Sequence, residues 1–389
     1  MVHYYSADYV MPVTSSPIKN GVIAMDENGT VLGIYDNDSV PKDVEIERLK
    51  GVLIPGFINA HCHLELSHLL GKIPQKQGLV KFITEVMSNR GADDDLVQEA
   101  MAAADRAMYA NGIQAVGDHV NSAISAKVKE NSKITYHTFV EILGLKEEEA
   151  AQKIDEAREI EFNFDSGHAS ITMHAPYSCS KALFKAFKKS VSDDNIISIH
   201  NQESEEENKL FRYKTGEFLD FYQRIGFPAD EFKAQARNSV QTYMSYLPTG
   251  NKVILVHNTY TSLKDLDFIR RMGRDVVMCL CPKANLYIED ALPKVSIFEQ
   301  NGCEIAIGTD SLASNDSLSI LDELKVLHKH FPDLDFSQTL KWATINGAKA
   351  LAVEESMGSL EVGKTPGLLL VKNINHFKLT DKVEIERIA

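Results

Sequence analysis

The sequence lacks the features that mark membrane-spanning, secreted and disulfide-stabilised proteins. No apolar run approaches the ~20 residues needed to cross a bilayer, so we expect no membrane partner. Residues 1–6 hold no basic segment that leads into an apolar one, so we expect no secretory signal. The five cysteines are odd in number and scattered along the chain, which argues against a disulfide framework and predicts a cytoplasmic protein.

Positive charge is also scarce. The chain has 41 basic and 55 acidic residues, and its formal net charge is -14 at pH 7. Such a surface repels phosphate backbones and anionic lipids, so we expect no nucleic-acid partner. Hydrophobic residues make up 44% of the chain and charged residues 25%, which is typical of a soluble globular enzyme.

Apolar segments of strand length alternate with helical patterns through the middle of the chain. Helices are predicted over residues 94–108, 146–162 and 181–190. The predicted strands cover residues 53–61, 113–119, 134–142, 170–176, 196–202, 253–259, 276–281 and 304–310. Eight strands that alternate with helices predict an α/β fold in the form of a closed (β/α)8 TIM barrel.

Both ends of the chain carry strand patterns without such helices. Asn28-Gly29 lies between two apolar segments and predicts a β-hairpin. Near the C-terminus, residues 358–363 and 367–372 predict two short strands separated by a turn at Pro366-Gly367.

Polar residues that could bind a metal end many of the predicted barrel strands. His61 and His63 are one residue apart, so their side chains point the same way from a strand. Histidines end other predicted strands, Asp310 ends the last one, and Glu203 follows the strand of His200. Each alone has an ordinary interpretation: a single histidine is more often structural, Asp310 could cap a helix, and Glu203 lies in an acidic run that is typical of a solvated helix start. Together at one rim they predict a metal site, formed by His61, His63, His174, His200, His257 and Asp310.

The motifs around these residues resemble a known family. The segment from Pro55 to His63, His200-x-x-Glu203, His257 and Gly308-Thr-Asp310 resemble the amidohydrolase superfamily, in its mononuclear nucleobase and nucleoside deaminase branch. The resemblance covers nearly the whole chain. It implies that residues 51–354 form the metal-dependent barrel, and that residues 1–50 and 355–389 form a composite β-sandwich domain beside it.

The resemblance also implies one divalent metal ion, Zn2+ in the first place and Fe2+ as the alternative. Its ligands would be His61, His63, His200 and Asp310. Zinc acidifies a bound water to a pKa of about 7, and this water would attack the amino-bearing ring carbon of the substrate. Asp310 would accept a proton from the water and His257 would hydrogen-bond it, while Glu203 would carry a proton to the substrate ring. Binuclear members usually end strand four with a lysine or an acid, whereas this chain has His174, so we expect one ion.

Residues 63–68, 78–83 and 89–90 resemble the corresponding segments of aminodeoxyfutalosine deaminases. The resemblance implies hydrolytic deamination of an adenine-type nucleoside, with 6-amino-6-deoxyfutalosine as the best single candidate and ammonia as a product. An alternative is an amino- or chlorohydrolase of guanine, cytosine or triazines, and an alternative of another class is an inactive barrel that serves as a binding module. Many members of this superfamily form homodimers or larger assemblies, which leaves a homo-oligomer as one option for this chain. The candidate substrate-binding and specificity residues are Glu65, His68, Arg90, Asp118, His119, Glu141 and His174, although Arg90 and Glu141 could instead form structural ion pairs.

Overall fold

Strands occupy both ends of the chain and alternate with helices between them. The structure is a computed structural model that describes residues 1–36 and 39–389. The strands are β1 (Val2–Ser6), β2 (Tyr9–Val10), β3 (Ile18–Lys19), β4 (Val22–Asp26), β5 (Val31–Tyr35), β6 (Ile46–Arg48), β7 (Val52–Pro55), β8 (Phe57–Cys62), β9 (Ile113–Val120), β10 (Thr135–Ile142), β11 (Ala169–Met173), β12 (Ile197–Asn201), β13 (Val253–His257), β14 (Val276–Leu280), β15 (Glu304–Ile307), β16 (Leu368–Lys372) and β17 (Glu384–Arg387).

The helices follow the strands in the middle of the chain. They are α1 (Leu79–Asn89), α2 (Asp94–Ala110), α3 (Ala126–Glu130), α4 (Ala150–Glu161), α5 (Lys181–Ser190), α6 (Glu205–Tyr213), α7 (Glu217–Arg224), α8 (Ser239–Tyr243), α9 (Leu263–Arg271), α10 (Pro282–Glu289), α11 (Val295–Gln300), α12 (Ile320–His330), α13 (Phe336–Trp342) and α14 (Ile345–Ala350). Short 3-10 helices lie at Leu64–Leu69, Glu147–Glu149, Pro176–Ser178, Ala229–Glu231 and Met244–Tyr246. Within the described part of the chain, no helix has both the length and the apolar character needed to cross a membrane.

The eight strands β8 to β15 run parallel, as the sequence predicts, and give the chain the strand content of a TIM barrel. Ladder hydrogen bonds join them into two four-stranded sheets, β11-β10-β9-β8 and β12-β13-β14-β15, rather than into one closed ring. Isolated hydrogen bonds cross the two seams between these sheets. The His200 backbone N–H donates to the His174 carbonyl at 3.0 Å, and the Asp310 N–H donates to the His61 carbonyl at 3.1 Å.

The barrel strands are apolar because both of their faces are covered. All five residues of β13, Val-Ile-Leu-Val-His, are buried, and so are all six of β8. Helices cover the outer face, and side chains such as Ile58, Phe139 and Ile254 fill the inside. This packing leaves the carboxyl ends of the strands as the place where polar side chains can converge.

The first predicted barrel strand is divided in two by Gly56. Residues 52–55 form β7, which pairs antiparallel with β16, and residues 57–62 form β8, which pairs with β9. The Gly56 N–H donates to the Pro366 carbonyl at 3.0 Å. A Cβ atom at Gly56 would lie 2.3 Å from Cγ of Gln114, so only glycine fits where the chain passes from one sheet to the other.

The remaining strands form two sheets from the ends of the chain. Their orders are β5-β4-β1-β6 and β17-β16-β7-β2-β3. One apolar cluster includes Ile23 and Val31 from the first sheet and Leu53 and Leu370 from the second. The predicted hairpin around Asn28-Gly29 is confirmed, because β4 and β5 pair antiparallel.

The prediction of a strand over residues 358–363 is wrong. Gly358 and Gly363 have left-handed backbone angles, with φ of +83° and +92°, which break an extended conformation. The segment instead makes isolated hydrogen bonds, such as Leu360 N–H to the Pro12 carbonyl at 3.1 Å. The partner of β16 on this side is β17, whose half-exposed alternation the sequence patterns did not single out.

Candidate active site

Three histidines and an aspartate meet at the carboxyl ends of the barrel strands. His61 lies in β8, His63 directly follows it, His200 lies in β12, and Asp310 follows β15. Their ligand atoms form two overlapping groups, His61 with His63 and His200, and His61 with His257 and Asp310. Within each group these atoms lie within 4.8 Å of one another.

The nitrogen atoms of this cluster face each other at short range. Nε2 of His63 lies 3.2 Å from Nε2 of His200, and Oδ1 of Asp310 lies 3.5 Å from Nε2 of His61 and 3.6 Å from Nε2 of His63. Both ring nitrogens of His61 are buried, and no described residue hydrogen-bonds them. A buried polar group without a partner is costly, and a cation shared with its neighbours would remove that cost. Three imidazoles and a carboxylate are ligands that suit zinc and similar divalent ions.

The cluster is held in the protonation state that metal ligation requires. Burial lowers the pKa of His61 and His200 well below the usual value, and it lowers that of His63 to about 4. The imidazoles are therefore neutral at pH 7. Nδ1 of His200 lies 2.8 Å from the His174 carbonyl, which can only accept, so the proton is on Nδ1 and the Nε2 lone pair faces the cluster.

The surroundings of Asp310 favour its ionised form. Burial alone would raise its pKa, but Nε2 of His61, 3.5 Å from Oδ1, and the charges of His257 and His63 hold the pKa below its usual range. Its second oxygen, Oδ2, accepts a hydrogen bond from Oγ of Ser314 at 2.6 Å. Ser314, which no sequence motif singled out, therefore leaves Oδ1 directed at the histidines.

Two further groups face the cluster from neighbouring strands. Nδ1 of His257 lies 2.9 Å from Oδ1 of Asn285, so this amide oxygen accepts a hydrogen bond from the Nδ1–H group and Nε2 is left as an acceptor. Nε2 of His257 lies 3.6 Å from Oε1 of Glu203. Burial, with the nearby Asp310 carboxylate, raises the pKa of Glu203 well above its usual value. Glu203 can therefore carry a proton at neutral pH.

A cavity of about 870 Å³ opens above this cluster. His63, His200, His257, Asp310 and Glu203 line its polar end. The other walls are largely apolar, and come from α1, from the segment after β10 and from the segment after α7. The apolar lining residues are Leu66, Leu79, Phe82, Ile83, Val86, Met87, Leu143, Leu145, Tyr177, Phe221, Ile225, Phe227 and Pro228.

The predicted substrate residues divide into two groups. Arg90, Glu141 and His174 line the cavity. Glu65, His68 and His119 are not among the described lining residues, and they contact that first group from behind. Nε2 of His68 lies 3.2 Å from the Arg90 carbonyl.

Arg90 belongs to a chain of ion pairs and hydrogen bonds at the cavity wall. Its Nη2 donates to the Glu65 carboxylate and its Nη1 donates to Oδ1 of Asn121 at 2.9 Å. Nδ2 of Asn121 donates to Oε2 of Glu141 at 3.1 Å. The sequence left open whether Arg90 forms a structural ion pair, and the ion pair between Arg90 and Glu65 is of this structural kind. Asn121 links the two acids, and no motif predicted it.

His119 and His174 flank the cluster of His61, His63, His200 and Asp310. Nδ1 of His119 lies 2.9 Å from Oε1 of Glu141, and its Nε2 lies 2.8 Å from Oγ of Ser198. Both ring nitrogens are thus engaged. Nδ1 of His174 lies 2.7 Å from Oγ of Ser178, and its ring lies on the cavity wall.

Asp118, also singled out in the sequence, lies beneath the rim. Its Oδ1 accepts from the Leu64 N–H at 2.7 Å, and its Oδ2 lies 2.7 Å from Nζ of the buried Lys129. Since Leu64 follows His63, this ion pair holds the segment that carries a candidate ligand.

The apolar wall is the part of the site that motif analysis missed. Leu79, Phe82, Ile83 and Val86 repeat at helical spacing in α1, and this spacing was a signal in the sequence. It indicates a helix with an apolar face, but not that the face borders a cavity rather than the core.

Comparisons with known proteins agree with the fold. The model of the amidohydrolase family matches residues 52–387. The adenosine deaminase of Helicobacter pylori is 30% identical over 329 residues, which are 82% of this chain and 78% of the relative. The 5-methylthioadenosine/S-adenosylhomocysteine deaminase of Pyrococcus abyssi is 26% identical, over 84% of this chain and 76% of its own. The crystal structure of Helicobacter pylori aminofutalosine deaminase with methylthio-coformycin superposes with a TM-score of 0.81 at 24% identity, over 96% of this chain and 93% of that one.

Proposed function

The chain belongs to the amidohydrolase family, and on that premise we propose that it is a metal-dependent deaminase of an adenine-type nucleoside. The observation that carries the proposal is the convergence of neutral His61, His63 and His200 with ionised Asp310, beside Glu203, whose pKa is raised by burial. Such a set combines metal ligands with a proton donor at one cavity. The named deaminases among the relatives support the same reaction class.

The donor set fits one divalent ion, held by His61, His63, His200 and Asp310. We assign Zn2+ in the first place, with Fe2+ as the alternative, because imidazole and carboxylate together suit borderline ions. The unpartnered ring nitrogens of His61 support this assignment. When bound, the ion would supply a water whose pKa is lowered to about 7, and thus a nucleophile at neutral pH.

The residues around the ion would move the protons of the reaction. Oδ1 of Asp310 accepts the proton of the attacking water, while Ser314 holds the other oxygen. His257, kept in one tautomer by Asn285, accepts a hydrogen bond from the same water. Glu203 donates its proton to a ring nitrogen as oxygen adds to the amino-bearing carbon. The proton held by Asp310 then passes to the amino group, the carbon–nitrogen bond breaks and ammonia leaves, while the remaining hydroxyl proton returns to Glu203 as the ring carbonyl forms.

The shape of the cavity supports a substituted nucleoside as the substrate. About 870 Å³ is far more than a single base occupies, and the walls beyond the polar end are apolar. We therefore keep 6-amino-6-deoxyfutalosine as the first candidate. Arg90, Glu141 and His174 would contact the substrate directly, and Glu65, His68 and His119 would act through them.

The other predictions for the chain stand as proposals of the same kind. The two terminal sheets share an apolar cluster, which supports a composite β-sandwich formed from residues 1–50 and 355–389, with β7 (Val52–Pro55) as an additional strand. Residues 51–354 would then be the catalytic unit. A homo-oligomer and a cytoplasmic location stay predictions from the sequence.

The test is a deamination screen on the metal-loaded protein. The panel would contain aminodeoxyfutalosine, methylthioadenosine, S-adenosylhomocysteine and adenosine, with ammonia and metal content measured on one sample. Guanine, cytosine and an aminotriazine would serve as the competing substrates. Turnover of a nucleoside supports the proposal, and turnover of only the competing substrates contradicts it. A metal-loaded protein that binds nucleosides without turnover would favour the binding module.

A further inference from the structure

A strained residue precedes the proposed proton donor. Gln202 has a φ of +46° and is completely buried between His200 and Glu203. Side chains of the L series rarely adopt this left-handed conformation, and it persists only where surrounding contacts enforce it. The conformation determines the direction in which the chain leaves β12 and enters α6.

The main chain of Gln202 is held on both sides. Its N–H donates to Oε1 of Glu207 at 3.1 Å, and its carbonyl accepts from the Tyr260 N–H at 2.9 Å. Glu207 is itself buried, and its Oε1 also accepts from the Ser239 hydroxyl. The turn is therefore tied to the first turn of α6 and to the segment after β13.

The side chain of Gln202 is held equally well. Its Oε1 accepts from Oγ1 of Thr261 at 2.8 Å, and its Nε2 lies 3.2 Å from Oδ2 of Asp265 and 3.3 Å from Oδ1 of Asn208. Asp265 is fixed in turn by Asn238, whose Nδ2 lies 2.7 Å away. These contacts supply the enforcement that a left-handed glutamine needs.

By contrast, no described residue hydrogen-bonds the Glu203 carboxyl group, whose contact with Nε2 of His257 is 3.6 Å. Its place at the cavity depends on the backbone that carries it. We propose that Gln202 is a positioning residue, whose buried amide and left-handed turn direct Glu203 at the substrate. The catalytic role of Glu203 in this inference rests on the proposed function. The claim that Gln202 sets the position of the Glu203 carboxyl group does not.

The main variant is Gln202→Met, which keeps the volume of the side chain and removes its hydrogen bonds. We expect kcat to fall by about 10- to 100-fold and KM to stay within about threefold, because only the proton donor is displaced. Metal content should be unchanged. A crystal structure should show the Glu203 carboxyl moved by roughly 1 Å or more with His200 in place.

Gln241→Met is the matched control. Nε2 of Gln241 also donates to Asp265, at 2.7 Å, but Gln241 does not contact the strained turn. Its kcat and the position of Glu203 should equal those of the wild type. Gln202→Gly accepts the left-handed angle without strain but lacks the amide, so it should be impaired like Gln202→Met. Full activity of the glycine variant would overturn the inference.

If Gln202→Met does not fold, Glu207→Leu removes the acceptor of the Gln202 N–H, and Glu207→Gln retains it and should rescue kcat. Loss of metal in proportion to activity would overturn the inference, since the turn would then act through His200. So would an unmoved Glu203 carboxyl in the variant crystal. A wild type that deaminates nothing would refute the proposed function alone, because the crystallographic comparison still decides whether Gln202 positions Glu203.

Discussion

Replacement of Glu203 by glutamine separates proton transfer from metal binding. Burial and the Asp310 carboxylate raise the pKa of Glu203 well above its usual value, which favours the protonated, neutral form of this side chain. Glutamine is also neutral and of nearly equal size. The charge around the metal ligands therefore does not change, and Glu203→Gln should retain its metal. What the variant loses is a proton that can be transferred.

The expected loss of activity follows from that chemistry. A positioned general acid or base contributes about 10²- to 10⁴-fold, so kcat should fall by that factor, or roughly 3–5.5 kcal/mol of transition-state stabilisation. KM should change little, because an amide can still hydrogen-bond the substrate. The assay follows ammonia release at saturating substrate, with metal content measured on the same sample.

Glu205→Gln is the matched control, because Glu205 begins α6 two residues further on and is exposed. It should have the activity of the wild type. A Glu203→Gln variant that keeps more than about a tenth of the wild-type kcat would refute the role in proton transfer, since that effect is below the range of general acid–base catalysis. A variant without metal would mean that Glu203 is a ligand.

Four other outcomes are expected. His61→Ala should lose metal and activity together, and chelation of the wild type should lower its Tm, because a metal that binds the folded state stabilises it. Ser314→Ala frees Oδ2 of Asp310 and should weaken metal affinity by about 10- to 100-fold, as measured by competition with a chelator. Burial raises the pKa of Glu207 to about 7, so protonation of this side chain stabilises the folded protein fully below pH 4.5, and this stabilisation is lost as pH rises to 7. Glu207→Gln should lack this part of the pH dependence of the free energy of unfolding, which is at most about 3 kcal/mol. Phe82→Ala should raise KM roughly tenfold for nucleosides with a large apolar substituent and little for adenosine, and equal effects on both would contradict the role of the apolar wall.

The sequence predicted the centre of the site well because the barrel imposes a simple rule. Strand side chains alternate, and parallel strands end at one rim, so His61, His63, His200 and Asp310 could be brought together without coordinates. The resemblance to the amidohydrolase superfamily, inferred from the motifs around them, is confirmed by the match over residues 52–387. The roles given to these residues stay predictions.

Contacts between distant segments could not be predicted in this way. Asn121 bridges Glu65 and Glu141 from a loop that carries no motif, and Ser314 reaches Asp310 only because of the local turn. The strand predicted over residues 358–363 failed for a related reason. Leu360 of this segment packs in the apolar cluster of the terminal sheets, but Val362 is exposed and the two glycines give the backbone left-handed angles.

The passage of the chain through Gly56 also constrains the order in which the protein folds. β7 and β8 are consecutive, so the strand that carries His61 continues directly from the terminal five-stranded sheet. In that sheet Pro55 pairs with Leu368, from a segment that the ribosome makes far later. A nascent chain that has completed every barrel strand has β2 on one side of β7 but still lacks β16 on the other. A chain cut off before residue 368 would therefore have all its proposed metal ligands, but only part of the sheet from which the strand of His61 continues.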